Sequence, residues 1–122
     1  MAHTNDTAPY FAHDRLEVYR VACDALVLGD ALCRRLPRGY AGLADQLRRA
    51  LLSLLLNISE AASRCGADRV ARFRTARGEC SEAAAAAEAV GLLRLGPTED
   101  IAVLRAVLGR VYAMLSRLAP AR

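Results

Sequence analysis

The chain has 122 residues, a length that suits one domain. It is 54% apolar but only 5% aromatic, so its core must be aliphatic and alanine-rich. The net charge is +4 and the isoelectric point about 9.2. The longest apolar run, around Leu54 to Leu56, is far too short to span a bilayer. The start lacks a basic region followed by an apolar run, so no secretory signal is expected, and the expected compartment is the cytoplasm.

Residues 1–12 read as a polar N-terminal arm containing Pro9, followed by a bundle domain over residues 13–119. The first helix is expected over 14–35, with Asp14 as its N-cap. Its apolar positions include Leu16, Val18, Tyr19, Ala22, Leu26, Leu32 and Leu36. Pro37 to Gly42 forms the first connection.

The second helix is expected over 43–64. Leu47, Leu51, Leu54, Ile58, Ala61 and Cys65 step by three and four, a continuous core stripe. Leu52, Leu55 and Leu56 lie off that stripe and form a surplus apolar face, which calls for a second partner. Gly66 suits a C-cap, and Asp68 an N-cap for a third helix over 68–95. There Phe73, Ala76, Cys80, Ala83, Ala87 and Val90 form the stripe. Gly78 and Gly91 cost about 1 kcal/mol each relative to alanine, and close packing against the second helix is expected to offset this. Gly96-Pro97 ends that helix. Thr98 then caps a fourth over 98–118, with Ile101, Leu104, Leu108, Val111, Leu115 and Leu118 facing inward. No segment alternates like a strand. The predicted fold is all-α, an antiparallel up-down-up-down four-helix bundle about 30 Å long.

The search for chemistry finds little. The histidines, His3 and His13, have no Glu-x-x-His pairing, and no metal site or cofactor is expected. His13 reads as a polar residue at a helix start. Ser53, Ser59, Ser63 and Ser81 have no histidine nearby in sequence to activate them, so no catalytic residue is assigned and the chain is not read as an enzyme. The four cysteines, at 23, 33, 65 and 80, lack ligand spacing, and Cys65 and Cys80 fall on core stripes as small hydrophobes. Reduced thiols fit better than a disulfide framework.

All 17 basic residues are arginine. This fits either bidentate phosphate recognition or the codon bias of a GC-rich genome. Residues 34–49 carry five arginines against Asp45, and residues 64–77 carry five against Asp68. Such clusters are either phosphate-binding footprints or solvated bundle ends that neutralise helix C-termini. Gln46, Arg49, Asn57 and Glu60 lie among the leucines and need partners there. In an antiparallel hairpin turning near Gly66, residues whose numbers sum to about 132 face each other. Glu82 then meets Arg48 or Arg49 as a buried pair, Asn57 meets the level of Thr75 and Ala76, and Glu60 meets Arg72 or Arg74. Pairs of this kind fix helix register.

These residues resemble the bacterial four-helix bundle proteins encoded in intervening sequences of 23S ribosomal RNA genes. The resemblance runs from Leu16-x-Val18-Tyr19-x-x-Ala22 through Leu36-Pro37, and then through Gly42-Leu43-x-x-Gln46-Leu47-Arg48-Arg49-Ala50-x-x-Ser53-Leu54-x-x-Asn57-Ile58-x-Glu60-x-x-x-Arg64. It continues at Arg72-Phe73, Ala76-x-Gly78 and Glu82, and covers about residues 14–96. Leu55 and Leu56 stand where that family often has proline, and Glu60-Ala61 stands where it has Glu-Gly. The resemblance implies an all-α bundle and a homopentameric ring, without a settled activity. A distantly similar bundle is the accessory protein of diversity-generating retroelements, which binds nucleic acid and a reverse transcriptase.

Two functions are therefore expected in competition. One is a nucleic-acid-binding accessory protein, for RNA or DNA, using Arg48, Arg64, Arg69, Arg72 and Arg74. The other is a protein-interaction scaffold. In both, self-association would run through Leu52, Leu55 and Leu56.

Overall fold

The structure, a computed structural model, describes residues 10–120. Most of the expected arm therefore lies outside the described residues, as does His3. Four helices account for almost all of the rest: α1 (Glu17–Cys33), α2 (Ala41–Ala62), α3 (Gly66–Leu92) and α4 (Thr98–Leu118). Two short 3-10 turns, Ala12–Arg15 and Arg38–Tyr40, precede α1 and α2. Among the described residues there is no strand, and no helix is long and apolar enough to cross a membrane.

Cross-helix contacts give the direction of each helix. Cys33 and Asp30, late in α1, meet Ala44 and Arg48, early in α2. Gln46, early in α2, meets Glu82, late in α3, while Arg69 reaches back to Ala61. Cys80 of α3 touches the Leu108 carbonyl of α4, and Arg77 touches Ala119 just beyond α4. Arg35, just past α1, pairs with Asp100 of α4 at 2.8 Å. Each neighbour thus runs opposite to the next, and α4 closes against α1.

The predicted stripes form the core. Leu47, Leu51, Leu54, Ile58, Phe73, Cys80, Val90, Leu104, Leu108, Val111 and Leu115 are all fully buried. Alanine does much of the filling. Ala25, Ala61, Ala76, Ala83 and Ala87 are fully buried too, which lets the helices approach closely without aromatic bulk. Gly29 marks the tightest approach: a Cβ built there would overlap Leu51 Cδ1 and lie 3.8 Å from Leu104 Cδ2.

Several local expectations are corrected. Cys65 is exposed, because α2 stops at Ala62 and the stripe ends with Ala61. Gly66 is not the C-cap of α2. It opens α3 in the left-handed region at φ 62°, where glycine carries no Cβ penalty. Asp14, Asp68 and Thr98 are not N-caps. Leu16, Cys65 and Pro97 hold those positions without side-chain caps, and Asp68 lies in the first turn of α3. Asp14 instead accepts a hydrogen bond from the Phe11 backbone N–H at 2.9 Å. Gly78 has no neighbour within 4 Å of a built Cβ, and Gly91 faces Ile101 of α4, so packing against α2 offsets neither glycine's cost.

Candidate interaction surface

The surplus leucines divide. Leu55 is half-buried against the chain's own core, whereas Leu52 and Leu56 are 48% and 55% exposed. Spacing alone could not separate them, because the position of α1 decides which flank of α2 is covered. Leu52 lines a groove of about 590 Å³ with Leu26, Val27, Asp30, Ala31, Arg34 and Arg48, and Val27 is itself 48% exposed. One turn along α2, Leu56 lines a second groove with Phe11, His13, Ser59, Glu60 and Ser63. Phe11 is 66% exposed. Leu52 and Leu56 stand at i and i+4 on one edge of α2, which gives that edge a short apolar strip with a groove beside each leucine.

The strip has charged ends. Asp30 accepts from Arg48 Nε at 3.0 Å and from Arg34 at 3.0 Å. Two guanidiniums thus share one carboxylate. The hydrogen bond from Arg48, with the charge of Arg34 adding to it, holds the Asp30 carboxyl below its ordinary range. At the other end stand Glu60 and Asp14, with Arg64 bridging Glu60 at 3.4 Å and Asp68 at 2.7 Å.

Four of the arginines expected to contact nucleic acid, Arg48, Arg64, Arg69 and Arg74, have hydrogen-bond partners within the chain, and Arg72 acts by its charge on Asp68. Arg48 is held by Asp30 of α1, a contact the α2–α3 register argument did not reach. Arg64 is held by Asp68, whose carboxyl is lowered mainly by that hydrogen bond and also by the charges of Arg64 and Arg72. Arg69 donates to the Ala61 and Ala62 carbonyls at 3.5 and 3.4 Å, and its guanidinium lies 5.1 Å from the Phe73 ring centroid. Arg74 donates to the Pro120 carbonyl at 2.9 Å, and Arg77 to Ala119 at 3.4 Å. The last turns of α2 and α4 lie at the same end of the bundle, where their final carbonyls have no i+4 N–H partner. Arg69, Arg74 and Arg77 donate to carbonyls in and just beyond those turns. The arginine cluster is a set of helix C-caps as well as a basic surface.

The expected polar pairs are rearranged. Glu82 is exposed and meets Gln46 at 3.5 Å, while Gln46 accepts from Arg49; Glu82 is not a buried partner of either arginine. Asn57 donates to the Ser53 carbonyl at 2.9 Å, one turn back on its own helix, and does not reach Thr75. Glu60 pairs with Arg64, not with Arg72 or Arg74. Glu79 holds the place assigned to Glu82. It is partly buried near Ser53 and Arg49, and burial, reinforced by neighbouring Glu82, raises its carboxyl. The sum rule fits Ser53 with Glu79, so the register was legible; the glutamate on the correct flank was not.

His13 stands at a helix start, as expected, but its contact with Ser59 was not foreseen. Its Nδ1 lies 3.0 Å from Ser59 Oγ, and its Nε2 lies 3.6 Å from Asp14 Oδ1. The ring stacks on Phe11 at 5.6 Å between centroids and tilts against Tyr19 at 4.2 Å. A serine, a histidine and an aspartate are thus brought together. Ser59, however, sits inside α2, where backbone N–H groups are spent on the helix ladder and cannot form an oxyanion hole. The geometry suits a pin that fixes the segment before α1 against α2. Only the closing of α1 onto α2 brings residues 46 apart in sequence to this distance.

The four cysteines are free. Cys33 and Cys80 are buried, their Sγ atoms facing the Ala44 and Leu108 carbonyls. Burial pushes the Cys80 thiol up to about 11. Among the described residues, no three His, Cys, Asp or Glu side chains are grouped to hold a metal ion. No protein-family model matches the chain, and no curated protein matches its sequence.

Proposed function

We propose that this protein is a non-enzymatic interaction module whose working surface is the α1–α2 face. One observation carries the reading: Val27, Leu52, Leu56 and Phe11 are all 48% exposed or more, and Leu52 and Leu56, one turn apart on α2, each line a groove. Single exposed leucines are ordinary, but neighbouring exposed apolar side chains beside grooves and rimmed by charge are the mark of a contact surface. The partner is a protein surface. It needs apolar side chains to fill the grooves and charges to meet Arg34 and Arg48 at one end and Glu60 at the other. Replacing Leu52 and Leu56 together by glutamate tests this. The double variant should keep its helical circular dichroism and lose association with protein, whether with itself or with a co-purifying chain. Unchanged association would overturn the reading.

A second reading keeps nucleic acid as the partner. It is favoured by the clustering of Arg64, Arg69, Arg72, Arg74 and Arg77 at one end of the bundle, against Glu60 and Asp68. Phe73 is buried and Tyr112 lies exposed beside Arg77, so binding would follow charge and shape more than base stacking, and its affinity would fall steeply with salt. Because Arg69 and Arg74 cap carbonyls, Arg72→Glu with Arg64→Gln is the cleaner probe. Absence of any gel shift for duplex or folded RNA at about 50 mM salt would remove this reading and leave the first in place.

A further inference from the structure

The outer edge of α2 carries Arg48, Leu52, Leu56 and Glu60 at steps of four residues. Residues at i and i+4 form a ridge on a helix surface, here about 18 Å long from 12 residues at 1.5 Å rise. All four are at least partly exposed: the Arg48 side chain 39%, Leu52 48%, Leu56 55% and the Glu60 side chain 46%. Read along the helix the ridge is positive, apolar, apolar, negative. Read backwards it is its own complement.

We infer that the occupant of the α1–α2 face is a second copy of this chain, docked ridge to ridge about a two-fold axis between Leu52 and Leu56. This rests on the reading of that face as a protein-interaction surface and supplies its partner. A two-fold contact is made by one patch meeting itself, so each pair occurs twice. Antiparallel ridges set Arg48 against Glu60 of the second copy, and Glu60 against its Arg48. Leu52 of each copy meets Leu56 of the other, which seats Leu56 in the groove beside Leu52. Two ridges of the four-residue class pack at a crossing angle of about −50°. The charges support the same pairing. At the Arg48 end, Arg48 shares the Asp30 carboxylate with Arg34 and also feels the charge of Asp45, while 39% of its side chain stays exposed to a further carboxylate. At the other end, Arg64 is drawn to Asp68 at 2.7 Å and holds Glu60 only at 3.4 Å, which leaves Glu60 open to a second cation. A parallel arrangement would place like charges together at both ends. The five-fold ring that the sequence resemblance implies requires two different patches instead of this self-complementary one.

Sedimentation velocity of the full-length chain over a concentration series tests the pairing. The wild type is expected to reach a two-copy mass. Glu60→Arg alone and Arg48→Glu alone should each self-associate at least tenfold more weakly, because both contacts become repulsive. Mixed one to one, the two variants should recover a two-copy species, since the ridge with two arginines then faces the ridge with two glutamates. If Arg48→Glu fails to fold after losing Asp30, the loss of pairing by Glu60→Arg alone decides the matter. A monomer at about 100 μM, far above the dissociation constants of specific contacts, would overturn the two-copy pairing while leaving the face open to a different protein. A five-copy mass that Leu52→Glu disrupts would do the same. Assembly indifferent to Leu52, Leu56, Arg48 and Glu60 would overturn both the pairing and the interaction-surface reading.

Discussion

Gly29 gives the sharpest test of the packing argument. It lies inside α1, buried where α1 crosses α2. On helix propensity alone, Gly29→Ala should stabilise the fold by about 1 kcal/mol. The structure opposes this. The new methyl would overlap Leu51 Cδ1, and it would lie 3.5 Å from Leu51 Cγ and 3.8 Å from Leu104 Cδ2. Leu51 and Leu104 are both 1% exposed, so neither has free space to turn into. Overpacking of this kind costs about 1–3 kcal/mol. The net expectation is destabilisation by about 0–2 kcal/mol, the difference between the two effects. Gly78→Ala is the control, because that glycine lies in α3 with nothing near its Cβ direction. It should give the full stabilisation of about 1 kcal/mol. Urea unfolding followed at 222 nm, at one fixed protein concentration, measures both. A further check is Leu51→Ala, which alone should cost about 2–5 kcal/mol. It should cost less in the Gly29→Ala background, because the alanine methyl fills part of the cavity. If Gly29→Ala stabilises as much as Gly78→Ala, the close approach of α1 to α2 is refuted.

Arg94 follows α3 in the left-handed region at φ 58°, with its own N–H bonded to the Gly91 carbonyl and that of Leu95 to Val90. Arg94→Gly should therefore raise stability by about 1 kcal/mol, the penalty for a side chain in that region, and an unchanged unfolding midpoint would count against the assigned cap. Glu82→Ala should change stability by no more than about 0.5 kcal/mol, since the side chain is exposed; a larger loss by urea unfolding would restore the buried pair expected from the sequence. Asp30 has its carboxyl lowered from the ordinary 3.8, so its contribution is present above that value and is lost as pH falls through the lower folded value. Melting of Asp30→Asn should thus fall below wild type at neutral pH and converge with it under strong acid, whereas a gap constant across pH would contradict the ion pair. A thiol reagent at about pH 8 should label exposed Cys65 in the native state, while Cys33 and Cys80 should react only on unfolding, because the thiolate is the reactive form and theirs is suppressed by burial. Native labelling of Cys80 would contradict the packing of α3 on α4.

The helices and their inward faces were legible from the sequence. Apolar spacing of three and four residues is a local property of each segment, and it placed Phe73 to Val90 and Ile101 to Leu115 on the core face. Helix ends were less legible. Asp14, Asp68 and Thr98 are good capping residues, but backbone geometry placed the caps at Leu16, Cys65 and Pro97. The α2–α3 register was correct to within a few residues, yet it named Glu82 where Glu79 stands, because neighbouring turns of a helix differ in flank as well as in level. The polar contacts made to and beside α1 and α4 were not legible. Asp30 meeting Arg48, Ser59 meeting His13 and the carbonyls past α4 meeting Arg74 and Arg77 all join residues far apart in the chain. No local pattern encodes such meetings, and only the closure of the bundle decides them. The same closure separated the leucines, because helix packing leaves Leu55 partly buried against the core and Leu52 and Leu56 exposed.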